Sequence, residues 1–284
     1  MPEVRLRGGD VDGLAVHYVV EGDGEPTVIL IHGLGGFGET WRHNIPTLAR
    51  RAHVFALDLP GYGRSAKPRG AYDLGFFARV VHGFMATMGL AQASLIGHSL
   101  GGAIAITCAL THPSRVERLC LISSLVPGFA YQPSWIYRAL VQPGLGEALA
   151  LLGNARLYRA VLARCFHAPV ASEVDFLVDF AYQARTCPEA RAAYLATLRH
   201  VRRDFSDRSE AYRRAIATLD APVLLIHGQE DRIVPPSHVA SATDAFPRAT
   251  GRWVEACGHF PQIERAADVN GWMADFLSGR PAAL

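Results

Sequence analysis

The chain has 284 residues, half of them hydrophobic, with 28 basic and 26 acidic side chains and a formal net charge of +2. That length can bury one large core, or one core with a modest second unit, and the balanced charge leaves no electrostatic footprint for a nucleic acid. The opening Met1-Pro2-Glu3-Val4-Arg5 lacks the basic and apolar regions of a signal peptide, and no apolar run approaches the about 18 residues that a membrane helix needs, so a soluble cytoplasmic protein is expected.

In chain order, residues 14–20 and 27–31 read as strands, the second as the unbroken apolar run of a fully buried one. Residues 54–57 continue the pattern, followed by a helical period over 74–88. A strand over 94–96, a helix over 100–110 and a strand over 119–122 come next. Late in the chain, residues 223–226 and 252–255 read as strands and 268–277 as a helix. Strands alternating with helices imply a mostly parallel sheet covered on both faces.

Residues 126–219 break this rhythm. Helix formers dominate there, interrupted near Pro143-Gly144, Gly153-Asn154, Pro169 and Pro188. The stretch reads as a helical insertion between two strands, leaving residues 1–125 and 220–284 as the core domain. It holds 12 of the chain's 26 aromatic residues, enough to build its own core and to line an apolar pocket against the sheet. It also holds 12 arginines, most of them expected on solvated helix faces. Cys108, Cys120, Cys165, Cys187 and Cys257 form no C-x-x-C pair and are odd in number, so they read as small buried hydrophobes and not as a disulfide or zinc framework.

The strongest chemical signal is Gly97-His98-Ser99-Leu100-Gly101 followed by Gly102, directly after a predicted strand and before a predicted helix. A G-x-S-x-G in that context forms a sharp elbow that lifts the serine hydroxyl off the backbone. The flanking residues must be small because the turn brings their backbones together, and the helix N-terminus adds partial positive charge. A serine hydroxyl needs a base, and the base needs an orienting acid. Of 12 histidines, His259 stands in the loop after the last predicted strand, where an open sheet places its site. His17, His82, His112, His167 and His200 read as surface or satisfied core, and His98 as facing the wrong way for a base. Asp231 follows the penultimate strand, which gives the order Ser, Asp, His; Glu230 is its neighbour and competitor. The position after the strand near Ser123 offers Ser124-Leu125-Val126 and no carboxylate. Oxyanion donors are expected from the amides of Leu100 and Leu34, the latter in His32-Gly33-Leu34-Gly35-Gly36. The glycines of that loop fit neither a phosphate loop nor a dinucleotide fingerprint.

These segments, with Asp58-Leu59-Pro60-Gly61-Tyr62-Gly63-Arg64-Ser65, resemble the α/β-hydrolase superfamily in order and spacing over nearly the whole chain. The resemblance implies an eight-stranded, mostly parallel sheet with helices on both faces and a helical cap formed by the insertion. Epoxide hydrolases and haloalkane dehalogenases carry an aspartate at the elbow, where this chain has Ser99. The expected function is serine-dependent cleavage of carboxylic esters through an acyl-enzyme, on small to medium apolar or aromatic substrates, with no metal or organic cofactor. Carbon–carbon hydrolases of ring-fission diketones share the fold, triad order and cap, although their elbows more often read Gly-Asn-Ser. Thioesterase, lactonase, amidase or perhydrolase chemistry on the same triad is a further alternative, and a triad-bearing ligand receptor a more distant one.

Overall fold

A computed structural model describes residues 2–279, without the side chains of residues 183–185. Eight strands form one sheet: β1 (Glu3–Arg5), β2 (Ala15–Glu21), β3 (Thr27–Ile31), β4 (His53–Leu57), β5 (Ala93–His98), β6 (Val116–Ile122), β7 (Val223–Gly228) and β8 (Ala249–Val254). Their spatial order is β1-β2-β4-β3-β5-β6-β7-β8. β2 runs antiparallel to β1 and β4, and every pair from β4 to β8 is parallel.

The apolar runs of the central strands follow from burial on both faces. Ile29, Ile31, Leu95, Leu119, Leu121 and Leu225 enter one core with the Leu74–Thr87 and Leu100–Thr111 helices. Their alternates Val28, Leu30, Ile96, Cys120, Ile122 and Leu224 enter a second core with Ile45, Val269 and Met273 on the opposite face. Strand order reverses between β3 and β5, because the chain moves outward from β3 to β4 and returns on the other side. The loops that leave β3 and β5 therefore part at this point, opening a crevice at the carboxyl ends of the strands.

Two differences from the sequence reading concern the sheet's edges. β1 went unread: it is three residues long, and its two charged ends leave no alternation to detect. β8 covers 249–254 and not 252–255, because its register is set by pairing with β7, Val223 opposite Ala249, while its own residues are mostly half exposed. The Pro236–Thr243 helix also escaped detection, lying within a segment without a clear apolar period.

Between β6 and β7 the described residues form helices Trp135–Leu140, Leu145–Leu152, Ala155–Ala163, Ala171–Arg185, Pro188–Asp207 and Ser209–Ile216, and no strand. The breaks fall at the Gly and Pro positions. Asn154 caps the third of these helices by accepting from the Leu157 N–H, and Pro188 opens the fifth. The insertion packs on the sheet layer through Ala193, Val201, Tyr212 and Ile216, and its Phe166, Val174, Leu177 and Val178 form a smaller core shared with Phe37 and Ile263 of the sheet domain. No helix among the described residues is long and apolar enough to cross a membrane.

Candidate active site

Ser99 sits at the junction of β5 and the Leu100–Thr111 helix with φ 54° and ψ −116°, a region that costs a non-glycine residue about 1–3 kcal/mol. Its N–H donates to the Ile122 carbonyl at 2.9 Å, and its carbonyl accepts from Gly102 and Leu125, each at 3.1 Å. The neighbouring glycines are required by contact. A Cβ on Gly97 would lie 2.3 Å from the Gly101 carbonyl oxygen, and one on Gly101 would lie 2.1 Å from that of Ile31. Ser99 is largely buried, and its hydroxyl makes no hydrogen bond to protein among the described residues.

His259 and Asp231 come together in the loops after β8 and β7. The Nδ1–H of His259 donates to Asp231 Oδ2 at 2.7 Å, which leaves Nε2 with its lone pair. The other carboxylate oxygen, Oδ1, accepts from the backbone N–H groups of Ile233 (2.8 Å) and Val234 (3.0 Å). Burial pushes the Asp231 carboxyl upward, but the His259 and His227 imidazoles and these N–H donors outweigh it and hold the group below the usual carboxylate range. Arg232 makes no ion pair with it among the described residues. Glu230 is turned away and accepts from the Cys257 N–H at 2.8 Å.

The loop after β3 reaches the elbow. A Cβ on Gly33 would stand 3.1 Å from Ser99 Cβ and 2.9 Å from His98 Nδ1. Gly35 has φ +73°, and the Gly36 N–H closes a turn onto the Gly33 carbonyl at 3.0 Å. His32 anchors the loop: its Nδ1 donates to the Gly33 carbonyl at 2.7 Å, and its Nε2 accepts from the Leu59 N–H at 3.0 Å. Burial keeps this imidazole neutral by lowering its pKa. The N–H groups of Leu34 and Leu100 are not donated to a protein acceptor among the described residues, which is the condition for receiving an oxyanion.

Several supporting contacts were invisible in the sequence. His98 Nε2 donates to the His259 carbonyl oxygen at 2.7 Å, and its ring stacks on Phe260 at 5.0 Å between centroids. Burial, reinforced by the neighbouring imidazole of His259, drives its pKa to about 3. His227 donates to the Val234 carbonyl at 2.9 Å and lies 3.4 Å from Asp231 Oδ2. The His259 N–H donates to the Cys165 carbonyl at 2.7 Å, so the insertion also holds this loop. Glu264 accepts from Gly258 N–H at 2.9 Å and from His167 N–H at 2.8 Å. None of these follows a local motif, since each joins segments far apart in the chain or turns on a side-chain direction.

A narrow cleft, with a free volume of only about 10 Å³, lies beside the oxyanion loop, between residues 35–37, residues 61–63 and the Ala171–Arg185 and Pro188–Asp207 helices. Phe37, Tyr62, Phe180 and Tyr194 line it with glycine and alanine, and no lining side chain is charged. Arg42 pairs with Glu173, and Arg64 pairs with Glu39 at 2.5 Å while its guanidinium lies 4.7 Å over the Phe180 ring at the edge of the cleft.

Residues 26–266 match the model of the alpha/beta hydrolase fold family. The chain belongs to the α/β-hydrolase family. It is 31% identical to the 2-hydroxymuconate semialdehyde hydrolase of Pseudomonas sp. (strain CF600) over 280 residues, 95% of this chain and 93% of that relative. It is also 31% identical to the dihydrolipoyllysine-residue acetyltransferase component of the acetoin cleaving system of Cupriavidus necator, over 95% of this chain and 68% of that relative. Among known structures, the 2-hydroxy-6-oxo-6-phenylhexa-2,4-dienoate hydrolase of Rhodococcus sp. strain RHA1 aligns with a TM-score of 0.81 at 25% identity, covering 98% of each chain.

Proposed function

We propose that this α/β-hydrolase cleaves carboxylic esters of small to medium apolar or aromatic character, with Ser99 as nucleophile, His259 as base and Asp231 as its orienting acid. The observation that carries this reading is the buried 2.7 Å contact from His259 Nδ1 to Asp231, at the same sheet edge as the strained Ser99. In this mechanism Ser99 Oγ attacks the ester carbonyl carbon while His259 Nε2 takes the hydroxyl proton. The oxyanion is held by the amides of Leu34 and Leu100. His259 returns the proton to the leaving alcohol as the C–O bond breaks. Water, deprotonated by the same imidazole, then releases the acid and restores Ser99. Residues 126–219 act as the cap that encloses the reacting ester.

A second reading, carbon–carbon cleavage of a ring-fission diketone, is favoured by the likeness to the Pseudomonas and Rhodococcus hydrolases. The elbow reads Gly97-His98-Ser99, whereas the diketone hydrolases more often read Gly-Asn-Ser there, which weighs toward the ester. The deciding experiment treats the protein with a fluorophosphonate, maps the adduct by mass spectrometry, and assays nitrophenyl esters of increasing acyl length beside a ring-fission diketone. An adduct on Ser99 with brisk ester turnover supports the first reading. The same adduct with fast diketone cleavage and poor ester turnover moves the protein to the second. Absence of an adduct at Ser99 would refute the assignment of the nucleophile.

A further inference from the structure

The first three helices of the insertion present an apolar surface that nothing in the fold covers. Trp135 is 75% exposed and Leu152 76% exposed, with Leu145, Leu151, Leu157 and Val161 also open to solvent. The Leu145–Leu152 helix is apolar nearly all round, with Glu147 its single charged residue. A helix of that kind is expected to be buried on every side. Here its inner side packs against the Pro188–Asp207 helix, and its outer side faces water. Elsewhere on the described surface, large exposed hydrophobics such as Val20, Ile233 and Trp253 are scattered. The Trp135–Leu140 and Leu145–Leu152 helices pack together, and Leu151, Leu152 and Leu157 follow one another closely in the chain, a concentration that marks a binding surface where scattered residues do not.

The charges around the patch indicate what covers it. Residues 135–164 contain four arginines and one acidic residue, Glu147; Arg159 is paired with Asp175 of the Ala171–Arg185 helix at 2.9 Å, which leaves Arg138, Arg156 and Arg164. Glu147 is already held by Arg199 through contacts of 2.7 and 2.9 Å. Arg138 lies one turn from Trp135, Arg156 adjoins Leu157, and Arg164 continues the Leu157–Val161 face by its i+3 and i+7 spacing. Apolar side chains with tryptophan, flanked by arginines and lacking free acids, form the pattern of a helix lying in a lipid–water interface. A second copy docked on the same three helices would bring further arginines and, from those helices, no acid beyond Glu147, which Arg199 already holds.

We propose that helices Trp135–Leu140, Leu145–Leu152 and Ala155–Ala163 form a docking surface for an anionic lipid bilayer. The surface is one helix layer from the site: Leu140 and Ala150 on its inner side share a cluster with Leu34 and Tyr194, which border the oxyanion loop and the cleft. Docking there places the cap against the membrane and the cleft close to molecules partitioned into it.

The test measures binding without turnover, so it stands apart from the hydrolytic reading. Co-sedimentation compares the whole protein with vesicles of phosphatidylcholine alone and vesicles that also contain phosphatidylglycerol. The expected result is binding to the mixed vesicles, weakened when salt shortens the Debye length from about 10 Å to about 3 Å. A Leu151→Glu/Leu152→Glu variant should bind at least about tenfold more weakly, a loss of roughly 1.4 kcal/mol or more, while keeping the wild-type unfolding midpoint. Arg156→Glu/Arg164→Glu should remove the salt-sensitive part. Trp emission should shift to shorter wavelength on mixed vesicles, and Trp135→Phe should abolish the shift. No binding to mixed vesicles, or equal binding by wild type and the Leu151→Glu/Leu152→Glu variant, would overturn the proposal. So would a wild-type dimer that the same substitutions dissociate, because the cover would then be a second copy.

Discussion

His98 precedes the proposed nucleophile by one residue, yet its side chain acts on the proposed base. Its Nε2–H donates to the His259 carbonyl oxygen at 2.7 Å, and its ring lies against Phe260 with an interplanar angle of 27°. Two substitutions separate these contributions. His98→Phe keeps an aromatic ring against Phe260 and deletes the N–H, leaving the buried His259 carbonyl without that donor. Leaving such a group unsatisfied costs about 1–3 kcal/mol. In a chain of this size the unfolding midpoint should fall on the order of 5 °C. His98→Ala also removes the stack, about 0.5–1.5 kcal/mol more, and leaves a void. Because the carbonyl belongs to His259 itself, the loop that carries the imidazole loses one of its anchors. A displacement of about 1 Å in a reacting group costs roughly 10²-fold in rate, so His98→Phe should lower kcat by about 10- to 100-fold with KM little changed. Steady-state kinetics and thermal denaturation of the two variants check this. Wild-type kcat in His98→Phe, with an unshifted midpoint, would refute the clamp.

Three further outcomes are expected. In Asp231→Asn, the side-chain oxygen can still accept from Ile233 and Val234 N–H while the amide nitrogen faces His259 Nδ1, forcing the wrong tautomer; kcat should drop about 10⁴-fold with the fold retained, and a loss under tenfold would remove Asp231 from the mechanism. His82, His98 and His227 are buried with pKa values near 4, 3 and 4 against the ordinary 6.5, burial being the main cause in each. Below pH 6.5 the unfolded chain binds protons that these folded imidazoles refuse. Their stabilisation is therefore complete above that pH and declines toward about pH 4, at up to roughly 1.4 kcal/mol per pH unit for each group. Urea midpoints at neutral and mildly acid pH measure the decline, and equal midpoints would contradict it. Gly101→Ala places a Cβ 2.1 Å from the Ile31 carbonyl oxygen, so the variant should accumulate poorly or melt well below wild type; a wild-type melting curve would show that the elbow can move off β3.

The parts of the fold legible in the sequence were those where local pattern and burial coincide. β3 and β7 are unbroken apolar runs because both faces of the central sheet are covered, and Gly97 and Gly101 mark the elbow because their backbones touch there. The proline and glycine breaks of the insertion matched its helix boundaries, since a missing N–H or a positive φ acts within one or two residues. What remained hidden depends on distant pairing. β8 takes its extent from β7, not from its own half-exposed residues. His98 was read as facing away from the hydroxyl proton; its acceptor, the His259 carbonyl, lies 161 residues along the chain. Glu264 resembles any surface carboxylate until the loops that carry Gly258 and His167 converge on it.

The backbone itself explains how one sheet edge can hold demanding geometry. Ser99, Ser123 and Ala256 are the non-glycine residues with positive φ among those described, and they follow the ends of β5, β6 and β8. Each unfavourable conformation is fixed by a neighbouring strand or loop. Ser99 N–H donates to Ile122 at the end of β6, and Ser123 N–H donates to Ile226 of β7. The loop after Ala256 is gripped three times, by Glu230 on the Cys257 N–H, by Glu264 on the Gly258 N–H and by Cys165 on the His259 N–H. Strain of about 1–3 kcal/mol per residue persists only where the surroundings over-determine it. Here the parallel ladder supplies that constraint, passing it from strand to strand across the edge where Ser99, Asp231 and His259 stand. Change in the Trp135–Leu140, Leu145–Leu152 and Ala155–Ala163 helices leaves this ladder intact. Substitutions on their outer faces should therefore alter what the protein docks on while leaving the constellation of Ser99, Asp231 and His259 in place.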